Sequence, residues 1–227
     1  MMKRVGAIIV AAGTSRRMGG MDKIFADLAG KPLLTYSVEA FQKCDAIDQI
    51  VIVLNKQKLD EGLKLVRKYD WFKVSDVCSG GERRQDSVQK GINRLVDCKW
   101  VVIHDGARPC LSQSLIEKGL AEARSSGAAI PALPIADTIK AVSDDHIVED
   151  TLPRERLYIV QTPQVFRFDI ISEAYSKIRD DVTDDSCMVE RLGYKVKVYP
   201  GSVANIKVTT PDDLILAEAI LRKGVLH

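Results

Sequence analysis

Short apolar runs and amphipathic runs alternate along the chain. Residues 5–10 (Val-Gly-Ala-Ile-Ile-Val) are unbroken by polar positions, which predicts a strand covered on both faces. The period then changes. Leu34, Val38 and Phe41 recur three and four apart, so Leu33–Lys43 reads as a helix with one apolar face. The β-branched run Gln49–Leu54 predicts a second strand, 59–69 a helix, and 73–77 a weaker strand. After the Gly80-Gly81 turn, 86–95 reads as a helix, 100–104 as a strand, 114–124 as a helix and 128–132 as a strand. Apolar strands separated by helices predict an α/β fold. Its sheet is mostly parallel, with helices on both faces and right-handed crossovers.

Residues 135–157 break this rhythm. Two short strands, 137–142 and 147–152, flank the polar turn Ser143-Asp144-Asp145-His146, which predicts a projecting β-hairpin arm. A lone hairpin is marginal in water, so the arm needs a surface to pack on, and a second copy of the chain is the economical choice. The alternation then resumes, with helices at 168–178 and 184–191 and strands at 194–199 and 205–208. The last helix opens with Thr210 as N-cap, Pro211 at the first position and Asp212 and Asp213 in the first turn. Leu214, Leu216, Ala217, Ile220 and Leu221 supply its apolar face. With no repeat, low-complexity tract or linker, the chain reads as one domain over 1–227, the arm being an excursion from it.

Composition narrows the function classes. The chain of 227 residues is 46% hydrophobic and 28% charged, ordinary for a soluble enzyme, and a net charge of +2 gives no reason to expect nucleic acid or a membrane as partner. Cys44, Cys78, Cys98, Cys110 and Cys187 are odd in number and contain no C-x-x-C pair, which fits reduced thiols in a cytoplasm. No apolar stretch approaches a membrane span, and the first one is too short for a secretion signal.

The candidate chemistry lies where an open sheet puts it, past the carboxyl ends of strands. The first apolar run continues into Ala11-Ala12-Gly13-Thr14-Ser15-Arg16-Arg17-Met18-Gly19-Gly20, then Asp22-Lys23. Small residues after a buried strand let a flat ligand lie on the backbone, and the cations suit a chain of phosphates. It is not a dinucleotide fingerprint, since no second glycine follows Gly13 in place, nor a P-loop, which needs Gly-Lys-Ser/Thr. Arg17 and Lys23 are the candidates for stabilising charge that grows on phosphorus; sequence does not rank Arg16 against Arg17. Gly80-Gly81-Glu82 through Ser87 offers close backbone approach and polar edge contacts for a base, beside a capping role for Asp86 or Ser87. His104-Asp105-Gly106-Ala107-Arg108-Pro109 places a carboxylate after a strand, suited to a substrate hydroxyl or a magnesium shell. Arg154, Thr162, Thr183 and Lys207 offer cations and hydroxyls for a second phosphate. Taken singly, Thr162 before Pro163 reads equally as a turn and Thr183 as an N-cap.

In order, A-A-G-T-S-R-R-M, D-K-I-F, G-K-P-L-L, S-G-G-x-R-R-x-D-S-V, H-D-G-A-R-P, A-D-T-I-K, Q-T-P-Q-V-F, T-D-D and N-I-K-V-T-T-P resemble the 2-C-methyl-D-erythritol 4-phosphate cytidylyltransferases. The resemblance covers essentially the whole chain. It implies a Rossmann-like nucleotidyltransferase fold of the GT-A type and transfer of CMP from CTP to a polyol phosphate. Ala11, Ala12 and Gly13 would line the cytidine, Gly81, Glu82 and Ser87 would read the base, and Ala107 would approach the ribose. Glu82 stands where the family often has Asp. Arg17 and Lys23 would stabilise the transition state, and Asp105, Thr138, Arg154, Thr162, Thr183 and Lys207 would surround the acceptor, with Lys207 also near the α-phosphate. Mg²⁺ would be held mostly by the triphosphate, with Asp105 reached through water. The family is a homodimer with interlocking arms, so Thr138 and Arg154 would serve the partner's site. Ribitol-5-phosphate cytidylyltransferases share most of these motifs, and a catalytically silent nucleotide binder is the reading from another class. Residue types alone leave the acceptor open.

Overall fold

The structure is a computed structural model that describes residues 4–13 and 22–224. β1 (Arg4–Ala11) is followed by a minimal hairpin, β2 (Asp27–Leu28) and β3 (Lys31–Pro32), which delivers the chain to α1 (Leu33–Lys43). β4 (Gln49–Leu54), α2 (Leu59–Lys68), β5 (Val74–Ser79) and α3 (Arg84–Ile92) come next, then β6 (Cys98–Asp105), α4 (Gln113–Ser126) and β7 (Ala128–Pro134). The arm is β8 (Ile139–Val142) and β9 (Val148–Leu152). The chain returns through β10 (Tyr158–Val160), β11 (Gln164–Arg167), α5 (Phe168–Lys177), α6 (Asp185–Arg191), β12 (Lys197–Pro200) and α7 (Pro211–Arg222).

Among the described residues eight strands form the main sheet, in the order β10-β7-β11-β6-β1-β4-β5, with β12 added on β7. Its first-built half is parallel: β1 lies between β4 and β6, and β5 extends β4. Every residue of β4 is buried, as a two-faced apolar run requires. One core lies under α1, α2 and α4, where Phe41, Leu34 and Ile116 meet Ile9 and Ile52. The other lies under α3, α5 and α6, where Val88, Ile92 and Ile171 meet Ile8 and Val101. Local signals set the helix ends. Ser112 caps α4 by accepting the Leu115 N–H, Gly127 ends it at φ 86°, and Thr210 with Asp213 forms a capping box on α7.

The sheet is mostly parallel, as expected, and its second half is mixed: β11 runs antiparallel between β6 and β7, β10 pairs antiparallel with β7, and β12 runs parallel to β7. Two expectations need correction. Residues 205–208 are not a strand. Asn205 and Ile206 N–H groups bond locally to Ser202 and Ala204, while the Val208 N–H reaches the Ala107 carbonyl. The segment thus crosses the strand ends instead of joining a ladder. The strand expected at 194–199 begins only at Lys197. The arm is an antiparallel pair with Ile139 opposite Leu152, and Val142, Ile147 and Val148 on it are exposed. Beside its root, the edge strand β10 exposes Tyr158, Ile159 and Val160. Among the described residues no helix is long and apolar enough to cross a membrane.

Candidate active site

The parallel strands end at one rim. Val10 of β1 is level with Asp105 of β6, so Ala11, Ala12 and Gly13 leave the sheet beside the Asp105 carboxylate. The turn after β5 closes over them. A Cβ on Gly80 would lie 2.3 Å from Ala12 Cβ and 2.6 Å from Ser87 Oγ, so only glycine allows this approach. A cavity results, lined by Ala11, Ala12, Gly13, Gly81, Glu82 and Ala107, with Lys23 and Lys207 also in its wall. The Lys23 ammonium donates to the Val208 carbonyl at 3.1 Å, which ties it to the segment that crosses the rim.

α3 begins at this wall. Its N-cap is Arg83, neither Asp86 nor Ser87. Asp86 accepts the Arg83 N–H at 3.1 Å and pairs with its guanidinium at 2.7 Å. Ser87 holds the turn: its Oγ accepts the Gly81 N–H at 3.0 Å and donates to the Arg83 carbonyl at 3.2 Å. The next residue, Arg84, points into the site.

Arg84 opens a row of alternating charges. Its Nε donates to Asp105 Oδ1 at 3.0 Å, and its Nη2 lies 2.9 Å from Asp185 Oδ2. Asp105 Oδ2 accepts from Lys207 Nζ at 2.7 Å. Burial would raise the Asp105 pKa, but Arg84, Lys207 and Arg108 more than reverse this and hold the carboxyl well below the usual range. This row separates the first cavity from a second, of about 470 Å³, which shares Arg84, Asp105 and Lys207 and adds Thr162, Thr183 and Arg108.

Beneath the second cavity lies a buried polar frame. Thr162 Oγ1 accepts the Asp105 N–H at 3.0 Å and lies 3.0 Å from His104 Nδ1. His104 Nε2 lies 3.2 Å from the Arg108 carbonyl, which accepts only, so Nε2 carries the proton and Nδ1 accepts from the Thr162 hydroxyl. Burial pushes the His104 pKa down to about 4, and the neutral ring is the one this arrangement needs. Asn205 donates to the Thr162 carbonyl at 2.7 Å, while its own carbonyl accepts from Arg108 at 2.7 Å. His104 is thus a positioning group, and the Thr162–Pro163 peptide is cis.

Of the residues singled out by sequence, Ala11, Ala12, Gly13, Lys23, Gly81, Glu82, Ser87 and Ala107 gather at the first cavity. Thr162 and Thr183 gather at the second, and Asp105 and Lys207 at both. Thr183 does not cap α6; Asp184 does, through the Cys187 N–H. Arg16 and Arg17 lie outside the described residues. Thr138 and Arg154 are exposed at the root of the arm, and neither lines the cavities. Arg154 donates instead to the Ala136 carbonyl. Sequence reasoning gave no role to Arg84, Arg108, Tyr175 or Asp185; the pairing of Arg84 with two carboxylates joins positions 21 and 101 residues away. Among the described residues no three His, Cys, Asp or Glu side chains are placed to hold a metal, and both Asp105 oxygens are taken by cations. The donor set does not form a protein-held metal site.

Residues 5–223 match the model of the family described as IspD, 2-C-methyl-D-erythritol 4-phosphate cytidylyltransferase. A protein of that name from Dehalococcoides mccartyi is 52% identical over 222 residues, covering 98% of each chain. One from Clostridium perfringens is 41% identical over 225 residues, covering 97% of this chain and all of its own. Among solved structures, 4-diphosphocytidyl-2C-methyl-D-erythritol synthase of Anaerococcus prevotii superposes with a TM-score of 0.86 at 34% identity. That match covers 97% of this chain and 96% of the other.

Proposed function

The chain belongs to the 2-C-methyl-D-erythritol 4-phosphate cytidylyltransferase family, and we propose from that premise how its two cavities carry out the transfer. The enzyme moves CMP from CTP to 2-C-methyl-D-erythritol 4-phosphate. An acceptor phosphate oxygen forms a bond to the α-phosphorus, the bond to the β-phosphate bridge breaks, and pyrophosphate leaves. A phosphate monoester is largely ionised near neutral pH, so the attack needs placement and charge stabilisation more than a strong base.

One observation carries the assignment: Lys207 stands in the wall shared by the two cavities. The small residues Ala11, Ala12, Gly13 and Ala107 make a flat seat for cytidine, with Gly81, Glu82 and Ser87 at the base edge. Asp105, Thr162 and Thr183 face the acceptor. Lys207 serves the α-phosphate and the acceptor phosphate together. Lys23, and Arg17 by its place in the sequence, stabilise the charge that grows on phosphorus. Because the described side chains form no cation cage, the divalent ion comes with the nucleotide: CTP binds as its Mg²⁺ complex, and no step runs through a protein-held metal.

The working unit is a homodimer joined through the arm, built from chains that each form a single domain. The exposed apolar residues of the arm and of β10 support this reading, as does the absence of Thr138 and Arg154 from the walls of their own chain's two cavities. The five free cysteines and the absence of a membrane-length helix among the described residues support a cytoplasmic location. The deciding experiment is pyrophosphate release from CTP and Mg²⁺ with methylerythritol 4-phosphate or ribitol 5-phosphate. Fast release with the first alone supports the assignment. Preference for the second moves the enzyme to another acceptor, and CTP binding without release in either case makes it a silent binder. Sedimentation of the whole chain and of a form lacking 139–152 tests the dimer.

A further inference from the structure

Asp185 is fully buried and is in the wall of neither cavity. It is not needed as a cap, because Asp184 already accepts the Cys187 N–H. Its Oδ1 accepts from the Tyr175 hydroxyl at 2.6 Å, and its Oδ2 faces Arg84 at 2.9 Å. A buried carboxylate is costly without a partner, and among the described residues the cation paired with it is Arg84, whose Nε holds Asp105. A planar guanidinium held by one carboxylate at Nε and facing a second at a terminal nitrogen cannot rotate without lengthening one of the two contacts. Asp105 is then fixed by Arg84 at Oδ1 and presents Oδ2 to Lys207 at 2.7 Å.

We propose that Asp185 is a positioning residue for the transfer reaction: acting through Arg84, it aims the Asp105 carboxylate and so holds the Lys207 ammonium between the two phosphates. This rests on the function proposed above. Without the Asp185 charge, a terminal nitrogen of Arg84 loses its counter-charge beside two phosphate cavities, and Lys207 loses its fixed reference. Ligands still find cations to bind, but the shared ammonium no longer sits where charge develops. The loss therefore falls on kcat more than on either KM.

The test is a double-mutant cycle with Asp185→Asn, Arg84→Gln and the double variant. Turnover is expressed per CTP-binding site counted by calorimetry, so an unfolded fraction does not count as lost catalysis. Asn is isosteric and still accepts from Tyr175. Asp185→Asn is expected to lower kcat about 10- to 100-fold while both KM values stay within about twofold, the scale of a small misplacement of a reacting group. The double variant should match Arg84→Gln alone, since Asp185 acts only through Arg84. Losses that multiply in the double variant, or wild-type kcat per site in Asp185→Asn, overturn the proposal. If Asp185→Asn does not fold, Tyr175→Phe, which removes one hydrogen bond and no charge, replaces it in the cycle with a smaller expected loss and the same non-additivity. A wild-type chain without turnover refutes the function itself, whereas an active wild type with an unaffected Asp185→Asn refutes only the positioning role.

Discussion

Asp105→Asn separates the stabilising and the catalytic work of one carboxylate. The change is isosteric and keeps one acceptor, so its effect comes from charge and from a donor placed where a cation already donates. Asp105 accepts from Arg84 at 3.0 Å and Lys207 at 2.7 Å. Hydrogen bonds to charged groups are worth about 1.5–3 kcal/mol each, and Asn keeps one of the two. Arg84 retains Asp185, and Lys207, whose side chain is 40% exposed, turns to water, so no cation is left buried and alone. The net cost is about 2–3 kcal/mol, well under that of breaking a fully buried pair. For a chain of this size that lowers Tm by roughly 5–10 °C. Nucleotide binding moves the other way. Two unit charges about 8 Å apart at an effective dielectric near 20 interact by about 2 kcal/mol before screening, which sets the scale of the repulsion that a carboxylate in the cavity wall exerts on a phosphate. CTP should therefore bind several-fold tighter while acceptor KM rises and turnover falls by about 10²-fold or more. Calorimetry of unfolding with and without CTP, CTP titration and steady-state rates measure all three. Weaker CTP binding, or an unchanged Tm of the free protein, would refute the charge balance argued for the row.

Three further outcomes are expected. Lys23→Ala and Arg17→Ala should each cost about 3–4 kcal/mol of transition-state stabilisation, a factor of about 10² to 10³ in kcat; near-normal turnover in both variants removes their assigned role. His104 is fully buried with its pKa lowered from 6.5 to about 4, so the unfolded chain binds the extra proton first. Its contribution is complete above pH 6.5 and is lost as pH falls from 6.5 towards 4, about 3 kcal/mol in all, and His104→Gln should flatten the Tm profile within that window. Gly80→Ala forces a methyl to within 2.3 Å of Ala12 Cβ, so it should lower stability by about 1–3 kcal/mol and weaken CTP binding; unchanged affinity would show that the turn does not form the cytidine wall.

Much of the fold was legible because its strands are buried on both faces and its helices on one. Leu33–Lys43 and Gln49–Leu54 fall where the pattern places them, since period and length agree there. The antiparallel strands were hidden for a physical reason. β10 and β11 are three and four residues long, too short to show a period, and they become strands only because β6 and β7 offer ladders. Residues 205–208 failed in the opposite sense, an apolar alternation with no strand beside it. For the site, residues next to a strand end were readable from the chain itself: Ala11, Gly13, Asp105 and Ala107 all lie on the rim. Arg84 and Asp185 were not, because a basic residue in a first helical turn and the second of two aspartates look like solvated surface until the fold pairs them.

The same pairing explains how a phosphate-transfer site coexists with a net charge of only +2. Asp185, Arg84, Asp105 and Lys207 alternate in sign, so the row sums to zero while still presenting an ammonium to both cavities. A wall of unpaired cations would bind a triphosphate tightly in the ground state, which adds nothing to turnover once substrate saturates. Carboxylates threaded between the cations lower that uniform attraction and leave the ammonium fixed where negative charge increases during attack. On this view the acidic members of the row are needed for rate, not for nucleotide affinity. Neutralising either one should then tighten, or leave unchanged, the binding of nucleotide while slowing transfer. A loss of CTP affinity in both Asp105→Asn and Asp185→Asn would show instead that the carboxylates build the nucleotide seat itself.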